Sequence, residues 1–313
     1  MRGLELARAY YEQCGRPMLE AQFSELLPHV AVGLFGSGSE CFGYDDDISR
    51  DHDFEPGFML LLPEEDVVSR REAFLLERAY AKLPRDFMGL RRGLVQPVGG
   101  PRHGVIRTAA FFEEKVGAPD GELTVSQWLR MPEYALAEAV NGAVFFDGLG
   151  EVTAIRKRIS AWPGDIRKKK LAGSLLLMAQ AGQYNYSRCL KHGEKGAAQL
   201  AVTEFVRHCM AAVFLLNGVY QPYYKWAFRA MRALPRLSLL AELMEYLLTT
   251  DNDAHMAAEK EAVIEGVAAD VIAELRRQGL TRADCDDLER HARSVNDGIA
   301  DGDIRNLHIL AAV

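Results

Sequence analysis

Gly33-Leu-Phe-Gly-Ser-Gly-Ser-Glu-Cys-Phe-Gly-Tyr-Asp-Asp-Asp-Ile-Ser-Arg-Asp-His-Asp-Phe54 is the stretch on which the reading of this chain turns. It overlaps a short apolar run, His29 to Phe35, that suits a buried strand ending at Gly36. Gly36 to Gly43, beginning Gly36-Ser37-Gly38-Ser39, then predicts a glycine-rich turn able to open a short helix. Glycines let the backbone approach a ligand closely. Successive main-chain N–H groups at such a turn form an anion-binding concavity, which a following helix N-terminus strengthens. Ser37 and Ser39 add hydroxyl donors. Farther on, Asp51 and Asp53 stand two apart, so on extended backbone both carboxylates share one face and His52 takes the other. Carboxylates this close repel, and a divalent cation relieves them; Mg²⁺ takes carboxylate and phosphate oxygens together. A phosphate cradle beside metal carboxylates is the minimum equipment for nucleotidyl or phosphoryl transfer, where catalysis is mostly positioning and charge neutralisation. The expected site is therefore Gly36, Ser37, Gly38 and Ser39 on the phosphates, with Asp51 and Asp53 as catalytic metal ligands. Asp45, Asp46 and Asp47 read as a solvated acidic loop.

Phe35-Gly36-Ser37, thirteen residues, then Asp51-x-Asp53 resembles the Gly-Ser…Asp-x-Asp signature of the polymerase-beta-like nucleotidyltransferase superfamily. The longer string GSGSECFGYDDDISRDHDF is similar to a bacterial family of uncharacterised nucleotidyltransferase-like proteins, as are Gln183-Tyr-Asn-Tyr-Ser-Arg188 and Leu216-Asn-Gly-Val-Tyr-Gln-Pro-Tyr-Tyr-Lys-Trp226. The resemblance implies Mg²⁺ as cofactor, an NTP as co-substrate and a hydroxyl acceptor, a small molecule in preference to nucleic acid. It also implies a third carboxylate on a neighbouring strand. The candidate strand Gly104-Val-Ile-Arg-Thr108 carries no acid, and Glu113 and Glu133 are the downstream sources. A non-catalytic nucleotide-binding or regulatory protein that keeps the fold without the third acid is the alternative.

Outward from this centre, residues 3–13 and 17–27 read as helices, 51–54 and 58–62 (FMLLL) as a second strand interrupted at Pro56-Gly57, 63–82 as a helix, 103–107 as a third strand and 108–116 as a helix. Gly117-Ala-Pro-Asp-Gly-Glu122 predicts a domain boundary. Beyond it, apart from the strand-like run Ala143 to Phe146, the pattern is helical. The expected fold is α+β: a small mixed-sheet domain over 1–120, then an all-helical domain over 121–313.

In the helical half, the resemblance implies a lysine supplied to the nucleotide phosphates. Lys225, beside Tyr223, Tyr224 and Trp226, is the candidate, and the aromatic rings could line a base or substrate pocket. Tyr184, Asn185 and Arg188 fall on one helical face, where Arg188 could clamp a phosphate. The basic run Arg167 to Lys170 reads as a solvated face.

Composition sets the outer limits. Lys and Arg number 37 against 44 Asp and Glu, a net charge of −7, which disfavours general nucleic-acid binding because phosphate neutralisation supplies most of that affinity. Five scattered cysteines without a Cys-x-x-Cys pair fit a reducing cytoplasm better than a disulfide framework or a zinc ribbon. No signal peptide is read at the N-terminus and no continuous apolar run reaches membrane-spanning length, so no membrane association is expected.

Overall fold

The computed structural model describes residues 1–48, 54–93 and 102–313. Asp51 and Asp53 therefore lie outside the described residues. The fold is α+β, and the chain divides into two compact units: residues 1–127 with 135–161, and residues 128–134 with 162–313.

The first unit is built on a four-stranded mixed sheet. Its strands are β1 (Ala31–Leu34), β2 (Met59–Leu62), β5 (Gly104–Arg107) and β6 (Ala143–Asp147), in the order β5-β2-β1-β6. β1 pairs antiparallel with β2 and with β6, while β2 and β5 run parallel. Every residue of β1 and β2 is buried, as expected of central strands covered on both faces. Val30, Val32, Phe58, Leu60 and Leu62 share one core with Tyr10, Tyr11 and Leu19. Tyr80 pins the start of β2: its hydroxyl donates to the Phe58 carbonyl at 2.8 Å and accepts the Phe58 N–H at 3.1 Å.

β6 is the main departure from the sequence reading. It pairs with β1 from Ala31↔Asp147 to Leu34↔Ala143, with a register shift between Val32 and Gly33. Residues 117–122 thus lie inside the first unit, and the division runs later than position 120. A short antiparallel pair, β3 (Asp86–Phe87) and β4 (Leu90–Arg91), completes the strands among the described residues.

Helices α1 (Gly3–Tyr10) and α2 (Arg16–Gln22) form one continuous rod, because a π-helical turn, Tyr11–Gly15, carries the chain through where a break was expected. Pro17 lacks an N–H, and a widened turn just before it absorbs the lost pairing. The N-terminus of α1 is held by Asp45, whose Oδ2 accepts the Gly3 N–H at 2.8 Å. Asp45 is thus no solvated loop acid; a carboxylate at a helix start is favoured by orphan N–H groups and the dipole. α3 (Arg70–Ala81), α4 (Thr108–Val116), α5 (Val125–Arg130), α6 (Glu133–Val140) and α7 (Glu151–Ser160) follow.

The second unit is helical: α8 (Gly164–Met178), α9 (Ser187–Lys191), α10 (Lys195–Asn217), α11 (Tyr224–Arg232), α12 (Leu240–Thr249), α13 (Ala254–Arg277), α14 (Leu288–Asp297) and α15 (Gly302–Asn306). A π-helical run, Ala179–Tyr186, links α8 to α9. α8 packs on both α10 and α14, so its faces are covered all round. That placement overturns the solvated-face reading of its basic run: Lys169 and Lys170 are buried. Lys169 Nζ donates to Asn296 Oδ1 at 2.8 Å and to the Leu307 carbonyl at 2.7 Å, so its charge is met by aligned dipoles. Among the described residues, one helix, Lys195–Asn217, is long and apolar enough to cross a membrane, and most of it is buried inside this unit.

Candidate functional site

The glycine-serine turn leaves the C-terminal end of β1 and enters a short 3₁₀ helix, Glu40–Phe42. Gly36 and Gly38 have φ of +107° and +126°, backbone that side-chain-bearing residues avoid, which is why the turn needs glycine at both places. Gly36 is tied on both of its main-chain groups by one side chain. Asn141 Oδ1 accepts the Gly36 N–H at 2.8 Å, and Asn141 Nδ2 donates to the Gly36 carbonyl at 2.8 Å. Gly36 therefore shapes the cradle, and its own N–H is already taken.

Asn141 is itself held from behind. Arg156 Nη2 donates to the Val140 carbonyl at 2.7 Å and also to the Asn141 carbonyl, while the guanidinium lies 4.6 Å from the Phe35 ring centre. Burial lowers the Arg156 pKa to about 10.

Ser37 sits in a closed polar triangle. Its hydroxyl donates to Glu138 Oε2 at 2.8 Å and accepts from Lys115 Nζ at 3.0 Å; Lys115 Nζ in turn reaches Glu138 Oε2 at 2.9 Å. Both charged side chains are only 15% exposed. Lys115 comes from the last turn of α4 and Glu138 from α6. Sequence reading missed both, and Asn141, because they reach the turn from 78 to 105 residues away.

A second carboxylate lies over the turn. Glu40 is buried, and its carboxylate folds back so closely on Gly38 that a Cβ there would meet Oε1 at 2.5 Å. Arg102 faces it at 3.8 Å. Burial raises the Glu40 pKa, against its own backbone hydrogen bond and the Arg102 charge. Farther along, Glu55 meets His103 at 3.4 Å and accepts the Gly93 N–H. Burial alone would raise the Glu55 pKa, but these donors bring it below the usual range. His103 lies against Gly57, where a Cβ would approach its ring at 2.4 Å.

Of the two downstream acids, Glu113 is exposed on α4, and Glu133 belongs to the second unit. Among the described residues no group of three or more His, Cys, Asp or Glu side chains is arranged to hold a metal ion.

The second unit carries the other expected residues. Lys225 is exposed, with Nζ 5.1 Å from the Trp226 ring centre. Arg188 is exposed and lies 5.0 Å from the Tyr184 ring centre. Tyr184 and Asn185 border a cavity of about 680 Å³ that is also lined by Glu265, Asp286, Asp287 and Glu289, an acidic wall ill suited to phosphate. A different cavity, about 470 Å³ and mostly apolar, is lined by Glu133, Tyr134, Lys170, His208, Tyr223 and Tyr224. Its aromatic rings pack together, Tyr134 with Tyr223 at 5.7 Å and Tyr223 with Tyr224 at 4.5 Å. Inside it, burial pushes the Glu133 carboxyl up to about 7, with Lys170 pulling the other way. Burial likewise lowers the pKa of His208.

Residues 128–227 match the model of a family described as Domain of unknown function (DUF4037). No curated protein matches the chain. Among solved structures, it is similar to a nucleotidyltransferase-like protein from Exiguobacterium sibiricum 255-15, at 12% identity over 85% of this chain and 77% of that one, with a TM-score of 0.38.

Proposed function

We propose that this protein is a Mg²⁺-dependent nucleotidyltransferase. In the reaction, a hydroxyl oxygen of the acceptor attacks the α-phosphorus of an NTP, the α–β phosphoanhydride bond breaks, pyrophosphate leaves, and the hydroxyl proton is released to solvent. The observation that carries the reading is the Gly36–Ser39 turn at the end of a buried strand, with the Ser37 hydroxyl held beside an ammonium and Asp51-x-Asp53 following before β2. Asp51 and Asp53 would hold Mg²⁺, which supplies charge neutralisation on the phosphates when bound. Ser37, Gly38 and Ser39 orient the phosphates, and Gly36 fixes the backbone path.

A small-molecule acceptor is favoured. The net charge of −7 weighs against nucleic acid as acceptor. The scattered cysteines weigh for the cytoplasm.

The second reading, nucleotide binding without turnover, is favoured by one specific feature. Two carboxylates, Glu40 and Glu138, crowd the turn that the phosphates would enter. Incubation with α-labelled NTPs, Mg²⁺ and a cell extract decides between them. Transfer of label to an acceptor, abolished in Asp53→Asn, supports the enzyme. Mg²⁺-dependent NTP binding with no transfer supports the binding protein, and equal transfer by the variant removes the assigned site.

A further inference from the structure

We infer that Lys115 is the phosphate-binding cation of the glycine-serine turn and that Glu138 is an internal stand-in for the phosphate. This rests on the nucleotide reading above. In this structure the two donors best placed to hold an incoming phosphoryl oxygen, the Ser37 hydroxyl and the Lys115 ammonium, both converge on the single oxygen Glu138 Oε2, at 2.8 and 2.9 Å. A hydroxyl and an ammonium meeting on one anionic oxygen are the contacts a phosphate oxygen would receive, because charge-assisted bonds to carboxylate and phosphate share their geometry.

The surroundings support the assignment. The Lys115 stem lies over the turn, with its Cε 3.9 Å from the point a Cβ on Gly36 would occupy, so the ammonium approaches the turn directly. Among the described residues, Lys115 pairs with Glu138 and Arg102 faces Glu40 at the turn. A phosphate entering against both carboxylates would be repelled. One that takes Lys115 and Ser37 from Glu138 keeps the ammonium paired with an anion, while the displaced Glu138 carboxylate must turn toward solvent. Gly36 contributes no donor to this exchange, since Asn141 holds its N–H. Lys115 lies in the same compact unit as the turn and needs no contribution from the helical unit.

The test measures binding of Mg²⁺-tripolyphosphate by calorimetry to the full chain and to Lys115→Met, Lys115→Arg, Glu138→Ala and Glu138→Gln, with Glu40→Gln as a control for charge alone. Thermal melts identify variants that fold, and Glu138→Gln serves if Glu138→Ala does not. Loss of one charge-assisted contact predicts binding weakened about 10-fold or more in Lys115→Met, with substantial recovery in Lys115→Arg. Removal of the competing carboxylate predicts tighter binding in Glu138→Ala, by a clearly larger factor than in Glu40→Gln. Lys115→Met binding like the unaltered chain, or Glu138→Ala no tighter than Glu40→Gln, overturns the inference. Label transfer separates this outcome from failure of the enzyme reading. Transfer that is unimpaired in Lys115→Met sinks the inference and leaves the enzyme standing; the expected binding changes without any transfer do the reverse.

Discussion

Asn141 forms a two-point clasp with Gly36, one side-chain amide meeting both the N–H and the C=O of a single residue at 2.8 Å each. A carboxamide can do this because it carries a donor and an acceptor side by side. Asn141→Ala therefore leaves two part-buried main-chain groups unpaired and is expected to cost roughly 1–3 kcal/mol, read from urea unfolding. Asn141→Asp keeps the acceptor but loses the donor. It is expected to fall between the two, and equal stability of all three proteins would show that the clasp contributes nothing.

Gly38→Ala places a Cβ where φ is +126° and within 2.5 Å of the Glu40 carboxylate. The strain alone is expected to lower stability by about 1–3 kcal/mol. Glu40 must also move, so nucleotide binding at the turn should change along with the melting temperature. Ala at 38 with unchanged melting and unchanged binding would contradict the geometry.

Glu133 predicts a pH dependence of definite sign. Its folded-state value of about 7 lies above its ordinary value of 4.5, so the native protein holds this proton more tightly than the unfolded chain. Its contribution to stability is greatest below 4.5, declines as pH rises toward 7, and levels off above. Glu133→Gln removes the decline. The difference in unfolding free energy, variant minus unaltered chain, is expected to grow between pH 5 and pH 8; a constant difference would mean that the carboxyl titrates normally.

Lys225 and Arg188 are exposed, each beside an aromatic ring, so replacing them by Met should leave the fold alone. If they face nucleotide phosphates, Lys225→Met and Arg188→Met raise KM for the NTP several-fold, more at low salt than at high, as expected of a screened attraction. Melting temperatures should stay within about a degree or two of the unaltered chain, because surface changes of this kind are small. An unchanged KM in both would assign these side chains to the surface.

What could be read from the residues was mostly local. The apolar runs at 31–34 and 59–62 and the segment 104–116 announced themselves through periodicity and the glycines and prolines beside them. The turn itself was legible because glycines at 36 and 38 mark backbone that other residues resist. The partners that organise it were not. Asn141, Lys115 and Glu138 come from helices far along the chain, and ordinary amphipathic helices give no sign of which polar residue will meet a distant loop. The same limit hid the pairing of β6 with β1, since a five-residue strand among helices carries no information about its neighbour. The basic run at 167–170 misled for a related reason. Lysine is almost always solvated, and only a helix covered on all sides, with carbonyls waiting at Leu307 and Ala312, makes burial tolerable.

The late arrival of β6 has a bearing on how the protein is made and cut. β1 is flanked on one side by a strand that the ribosome does not finish until Asp147. Until then, the outer margin of Ala31–Leu34 presents unsatisfied peptide groups to any passing chain. A fragment designed to stop at the glycine-rich stretch near 120 would keep that margin bare and would be prone to stick to itself, whereas one ending after Ala161 would seal it.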